Sequence, residues 1–164
     1  MKKEMTKTIL LVEDDPAAVL CIKNMLKNHG IEVISVETGE KAIESVTNFH
    51  DINLILMDIE LGDGINGAEA AEAILKIREL PIIFISSHDD PEIIEKTDKI
   101  TSYGFISKAS GEAVIIAGIK MAFRLFESRM LERNKEKALR AEKDFNRNLV
   151  HLSPAFFVAI GSDG

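Results

Sequence analysis

Leu54-Ile55-Leu56-Met57-Asp58-Ile59-Glu60-Leu61-Gly62-Asp63-Gly64 is the stretch that decides the fold of this chain. Its first four residues are apolar in succession, with no polar alternation. A strand of that kind is buried on both faces, as in the middle of a parallel sheet covered by helices on either side. The run stops at an acid, and a glycine-rich loop follows. Ile82-Ile83-Phe84-Ile85 has the same character behind Pro81 and stops at Ser86.

Further apolar runs predict strands over 8–12, 32–36 and 103–107, beside those over 53–57 and 82–85. Helical patterns fall between them. The first runs from 16 to about 29, with Asp15 as N-cap, Pro16 as first helical residue and Gly30 as the stop. Val19, Leu20, Met25 and Leu26 are among its apolar positions. The others cover 39–48, 67–78 and 91–99, and a last one begins near 111. Strand–helix units repeated in this way define an α/β class with a doubly wound five-stranded parallel sheet.

At 164 residues the chain suits one ordinary domain plus an extension. Its hydrophobic fraction of 46% supplies a core, and no apolar run approaches the roughly 20 residues of a membrane span. Lys2 and Lys3 precede the apolar residues 9–12, but Glu13-Asp14-Asp15 ends that stretch too soon for an export signal. Cys21 is the single cysteine and cannot form an internal disulfide; its place in the helical pattern predicts a buried, inert thiol. These features point to the cytoplasm. A net charge of −7 argues against nucleic-acid binding, because phosphates repel an acidic surface. A local cluster of carboxylates can nevertheless hold a cation.

The last helix is expected to run beyond the domain. Residues 127–147 are dominated by Glu, Lys and Arg, and Leu131, Ala138, Phe145 and Leu152 recur at intervals of seven. Ala141 joins them, with Asn134 and Asn148 in the same flanking column. That is a weak coiled-coil seam. It describes either a solvated single helix or a signalling helix that pairs with a second copy, and the last helices of the domain are another route to a homodimer. Residues 152–164 then read as a turn, a strand and the start of a hairpin. A lone strand has no stability of its own, so a longer protein is expected. The organisation is therefore a domain over 1–126, a charged linker helix over 127–150 and the start of another domain over 151–164.

Chemistry collects at the carboxyl ends of the strands, where open α/β sheets bind ligands. Glu13, Asp14 and Asp15 follow the first strand, Asp58 the third, Ser86 closes the fourth and Lys108 follows the fifth. With strand order 2-1-3-4-5, Glu13, Asp14 and Asp58 converge, and Ser86 and Lys108 approach from the other side. Three close carboxylates repel one another and favour a hard cation such as Mg²⁺. Asp58 can then act as a nucleophile toward phosphorus, helped mainly by positioning and charge neutralisation from Lys108 and the Ser86 hydroxyl. Taken singly, each residue has a plainer role: Asp15 a cap, Asp58 a turn residue, Lys108 a surface charge. The order of acids, Asp, Ser and Lys along the strand ends is what carries the reading.

These residues resemble the receiver domain of two-component response regulators. Residues 9–16 are similar to that family's first strand and acidic pocket, 54–61 to its phosphoacceptor strand and loop, 81–87 to the strand with the switch hydroxyl, and 104–108 to the lysine strand. The likeness covers about 7–126 and implies a flavodoxin-like sheet of order 2-1-3-4-5. It implies Asp58 as phosphoacceptor for a histidine kinase or phosphotransfer protein. It implies Mg²⁺ held by Asp14, Asp58 and the Glu60 backbone carbonyl, with Glu13 assisting through water. Ser86 becomes the switch hydroxyl, Phe105 the aromatic switch residue and Lys108 the phosphate-binding cation. Ala109 stands where the family commonly has a cis proline, so the expectation is either a trans peptide with an altered loop or a strained bond. His88 is expected to be a loop histidine without a role. The segment from 152 resembles the beginning of a PAS sensory domain.

Two rivals belong to other classes. A haloacid-dehalogenase-type phosphohydrolase also uses a strand-end Asp with Mg²⁺, but it needs a second Asp where Glu60 stands, and a cap domain. A non-phosphorylated pseudo-receiver interaction module shares the fold, but would lack Asp58 or its neighbouring acids. The expected protein is therefore not an enzyme beyond self-phosphotransfer and autodephosphorylation.

Overall fold

The computed structural model describes residues 7–88, 91–101 and 103–160, the last ten of these as backbone only. The chain divides into two compact units, Met1–Phe126 and Glu127–Gly164.

In the first unit, β1 (Thr8–Val12), α1 (Pro16–Asn28), β2 (Glu32–Val36), α2 (Gly39–Asn48), β3 (Ile52–Asp58), α3 (Gly67–Ile77), β4 (Ile82–Ser86), α4 (Pro91–Ile100) and β5 (Phe105–Ser107) precede α5, which starts at Glu112. The sheet has five strands in the order β2-β1-β3-β4-β5, and every pair is parallel. The unbroken apolar runs occupy its centre, and Leu54, Ile55, Leu56 and Met57 have no exposed surface. Alternate residues serve opposite faces. Leu10, Val12, Ile55 and Met57 pack with Ala42, Val46, Ala70 and Ile74 of α2 and α3. Ile9, Leu11, Leu54 and Leu56 pack with Ile22 and Leu26 of α1 and Ile115, Ile116 and Ile119 of α5. Strands that serve two cores must be apolar throughout, which is why the sequence shows runs instead of alternation.

Local signals hold where they were expected. The Asp15 side chain accepts the Ala17 amide at 3.0 Å, and Gly30 leaves α1 with φ 71°. Three readings are corrected. Cys21 is exposed, not buried. The inward stripe of α1 is set by Ile22 and Leu26, with Val19 and Met25 partly covered, and both Cys21 and Leu20 lie outside it. β5 begins at Phe105, two residues later than expected, because Gly104 adopts φ 135°; Tyr103 instead packs edge-on against Phe126, with ring centres 5.9 Å apart. The turn and strand expected within 152–164 are not formed as far as Ile160, because α5 continues to that residue. A segment without a paired strand can satisfy its backbone hydrogen bonds within itself by forming a helix. The rest of that expectation, residues 161–164, lies outside the described residues.

Arg78, at the C-cap of α3, fastens the connection into β3. Its guanidinium donates to the carbonyls of Phe49 (3.2 Å), His50 (2.8 Å) and Ile52 (2.6 Å). Arg78→Ala is expected to lower stability by about 1–3 kcal/mol, since three carbonyls lose a charged donor. Arg78→Lys should recover little, because a single ammonium cannot reproduce the fork. Urea unfolding midpoints check both.

Among the described residues, no helix is long and apolar enough to cross a membrane.

Candidate functional site

The strand order puts the ends of β1 and β3 side by side, with Val12 in register with Met57. Asp58 is therefore the next residue out on β3, and Glu13 and Asp14 lead away from β1. Carboxylate oxygens of Glu13, Asp14 and Asp58 all lie within 4.8 Å of one another. Glu13 and Asp58 are buried, 1% and 3% exposed, while Asp14 faces solvent. The Lys108 ammonium closes the site from β5, 2.7 Å from Asp58 Oδ2 and 2.6 Å from Glu13 Oε2. The Lys108–Ala109 peptide is trans, since no described peptide bond is cis, and the altered loop still delivers the lysine. A turn in which the Ser110 amide donates to the Ser107 carbonyl at 2.9 Å holds that loop.

The electrostatics follow from two buried acids, Glu13 and Asp58, sharing one cation, with Asp14 beside them. Burial pushes the Glu13 carboxyl above the ordinary carboxylate range and the negative charge of Asp58 adds to this, while Lys108 opposes it. Burial alone would lower the Lys108 ammonium, but its hydrogen bond to Asp58 and its contact with Glu13 prevail and raise it. Glu13 Oε2 touches the ammonium but has no hydrogen bond of acceptable geometry, and it is buried. A buried anionic oxygen beside two more carboxylates is an oxygen-rich, negatively charged donor set that fits a hard divalent ion such as Mg²⁺.

A raised carboxyl favours the folded state only below its unfolded value of 4.5, and that contribution is lost as pH rises through the raised folded value. Ionised Glu13 therefore weakens the metal-free protein at neutral pH. Glu13→Gln is expected to raise the melting temperature in EDTA at pH 7 by on the order of a few °C. The gain should shrink as pH falls toward 4.5, and melts across that range test it.

The loop after Asp58 is held at several points. Asp58 Oδ1 accepts the Glu60 amide at 3.2 Å, and Asp14 Oδ2 accepts the Gly62 amide at 3.1 Å. The Gly67 amide donates to the Ile59 carbonyl at 3.0 Å. Two residues that sequence reading did not place in the site also hold it. Glu40 Oε1, in the first turn of α2, accepts the Ile65 amide at 3.0 Å, and this bond keeps its carboxyl below the ordinary range. Gly67 sits so close to Asp58 that a Cβ there would lie 1.9 Å from the Asp58 carbonyl oxygen. The only sequence signal was the Asn66-Gly67 helix start, whose Asn66–Glu69 capping box is formed.

Ser86 ends β4 fully buried, and its hydroxyl accepts the His88 amide at 3.0 Å. The His88 ring also lies 3.1 Å from Glu60 Oε2, both side chains exposed, beside the site. The Phe105 ring is half-buried against the layer that contains Phe84.

Residues 9–120 match the response regulator receiver domain. The chain belongs to this family. A solved chain, the N-terminal domain of a response regulator/sensory box/GGDEF three-domain protein from Carboxydothermus hydrogenoformans, is 42% identical. That comparison has a TM-score of 0.71 and covers 76% of this chain and 99% of that one. The phyllosphere-induced regulator PhyR of Methylorubrum extorquens is 33% identical over 53% of this chain and 33% of its own length. A cyclic di-GMP phosphodiesterase of Thermotoga maritima is 30% identical over 83% of this chain and 38% of its own. The receiver chain thus spans about a third of these curated relatives.

Proposed function

We propose that this receiver domain accepts a phosphoryl group on Asp58 from the phosphohistidine of a histidine kinase or phosphotransfer protein. The observation that carries the reading is the Asp58 carboxylate, held 2.7 Å from the Lys108 ammonium and within 4.8 Å of Glu13 and Asp14 oxygens. An Asp58 oxygen attacks phosphorus, the P–N bond to the donor imidazole breaks, and the imidazole leaves with the electron pair. Lys108 balances charge on the transferring oxygens throughout. Asp14, Asp58, the Glu60 carbonyl and, through water, Glu13 are the groups that would hold Mg²⁺, which when bound neutralises phosphoryl charge. Hydrolysis of the aspartyl phosphate resets the domain; no external substrate is turned over.

The same site supports a switch. The Ser86 hydroxyl, now an acceptor for the His88 amide, would donate to a phosphoryl oxygen, and the half-buried Phe105 would follow it. The α4–β5–α5 surface then changes by a shift between two packings. We place the protein in the cytoplasm, as the receiver part of a longer signalling protein that continues into a PAS-like sensory module. The sensory box in the three-domain relative from C. hydrogenoformans supports that order.

Incubation with acetyl phosphate and Mg²⁺, read by intact mass, tests the proposal. The expected result is a gain of one phosphoryl group that requires Mg²⁺ and is absent in Asp58→Asn. No gain would favour a pseudo-receiver, and steady turnover of a phosphate ester would favour a phosphohydrolase.

A further inference from the structure

From Leu131 to Val150 every residue of α5 is exposed, including Leu131 (56%), Phe145 (63%) and Leu149 (50%). A stretch of helix with no tertiary packing of its own is marginal in water. Leu139 and Val150 stand apart, but the other apolar residues share one side of the helix. Leu131, Ala138 and Phe145 form one column at intervals of seven, Asn134, Ala141 and Asn148 form the adjacent column three residues on, and Leu149 borders them. Those are the a and d positions of a heptad repeat.

We infer that this segment pairs with the same segment of a second copy as a parallel, in-register, two-stranded coiled coil. Orientation follows from the two asparagines. In a parallel pair each layer meets itself: Leu131 on Leu131, Asn134 on Asn134, Ala138 on Ala138, Ala141 on Ala141, Phe145 on Phe145 and Asn148 on Asn148. Each asparagine then has an amide partner for its own amide. An antiparallel pair centred on the alanines would set Asn134 against Phe145 and Asn148 against Leu131, burying two unpaired amides per helix at a penalty. A slip by one heptad would likewise put Asn134 against Ala141. The flanks agree with the parallel arrangement, because Lys137 at g is followed five residues later by Glu142 at e, the opposite-charge pair that parallel strands bring together. Alanine in two of the six layers keeps the seam thin, so association is expected to be weak and reversible, with a Kd on the order of 10–100 µM. A weak pairing of this kind is one that events elsewhere in a longer protein can make or break. Pairing of the two helices does not require phosphorylation of Asp58.

Sedimentation equilibrium of the full chain tests it. A monomer–dimer equilibrium in this range is expected, weakened at least tenfold by Phe145→Glu at an exposed position that leaves the receiver unit untouched. A monomer at several hundred micromolar, a trimer, or a dimer indifferent to Phe145→Glu would overturn it. Orientation is read by oxidation in a Cys21→Ser background. Ala141→Cys should give a disulfide-linked dimer, and Leu139→Cys, off the seam, should not. Crosslinking that appears only when Ala138→Cys and Ala141→Cys chains are mixed would establish the antiparallel pair and overturn the parallel one.

Discussion

Gly67→Ala is expected to lower the stability of the receiver unit by roughly 3 kcal/mol or more, at the top of the range for overpacking. The cause is space, not conformation, since Gly67 is not among the glycines with positive φ. A Cβ at this position would stand 1.9 Å from the Asp58 carbonyl oxygen, 2.8 Å from its carbon and 3.0 Å from Ile59 Cα. All three are backbone atoms, at the end of a central strand, and none can turn aside as a side-chain tip could. Either α3 moves off the loop, losing the bond from the Gly67 amide to the Ile59 carbonyl, or Asp58 is displaced. If Asp58 is the phosphoacceptor as proposed, either change is expected to slow phosphorylation by acetyl phosphate. Gly111→Ala is the control: nothing lies within 4 Å of its Cβ, and its φ is not positive, so its stability should stay near that of the parent. Urea unfolding of the two variants decides the matter. Equal midpoints for Gly67→Ala and the parent would refute the packing argument.

Lys108→Ala should act on stability and chemistry together. It leaves Glu13 and Asp58, both almost wholly buried, facing each other without their shared cation. Removing one partner of a buried ion pair costs about 3–5 kcal/mol, because the remaining charge stays desolvated and uncompensated. Glu13 already sits above the ordinary range, and without Lys108 it rises further. Protonation therefore relieves the defect: the deficit should be largest at pH 7.5 in EDTA and smaller at pH 5. Added Mg²⁺ should also restore stability, by replacing the missing positive charge. The rate of phosphorylation by acetyl phosphate should still fall by about 10²–10³, the effect of losing one preorganised group at a developing charge. Stability at pH 7.5 equal to that of the parent would show that the lysine is not the counter-charge inferred here.

Most of the fold was legible because its signals are local. Unbroken apolar runs such as 54–57 state that a strand is covered twice, and Asp15-Pro16 and Gly30 mark where a helix begins and ends. The strand-end residues of the site could be named for the same reason, since Asp58, Ser86 and Lys108 each lie at the boundary of a local pattern. Other features depended on neighbours far along the chain. Cys21 and Leu20 looked like members of an apolar helix face, but the rotation of α1 about its axis is set by where Ile22 and Leu26 meet the sheet. Glu40 was one acid among many until the loop between β3 and α3 came to rest on it. His88 gained partners only when the ends of β3 and β4 came together. The segment 152–160 has the composition of a strand, and composition does not say whether a partner edge is present.

From sequence alone came the α/β class, the five strands and the set of residues that could carry phosphoryl chemistry. Tertiary structure alone decided that Glu13 shares Lys108 with Asp58, that Gly67 presses on the Asp58 carbonyl, that Arg78 gathers three carbonyls at the entry to β3, and that α5 runs on to Ile160. The division has one physical cause. Burial periodicity and capping act over a few residues and leave their mark in the order of the chain. A distance between Glu13 and Lys108 depends on strand order, register and loop shape together, and no short stretch of sequence contains all three.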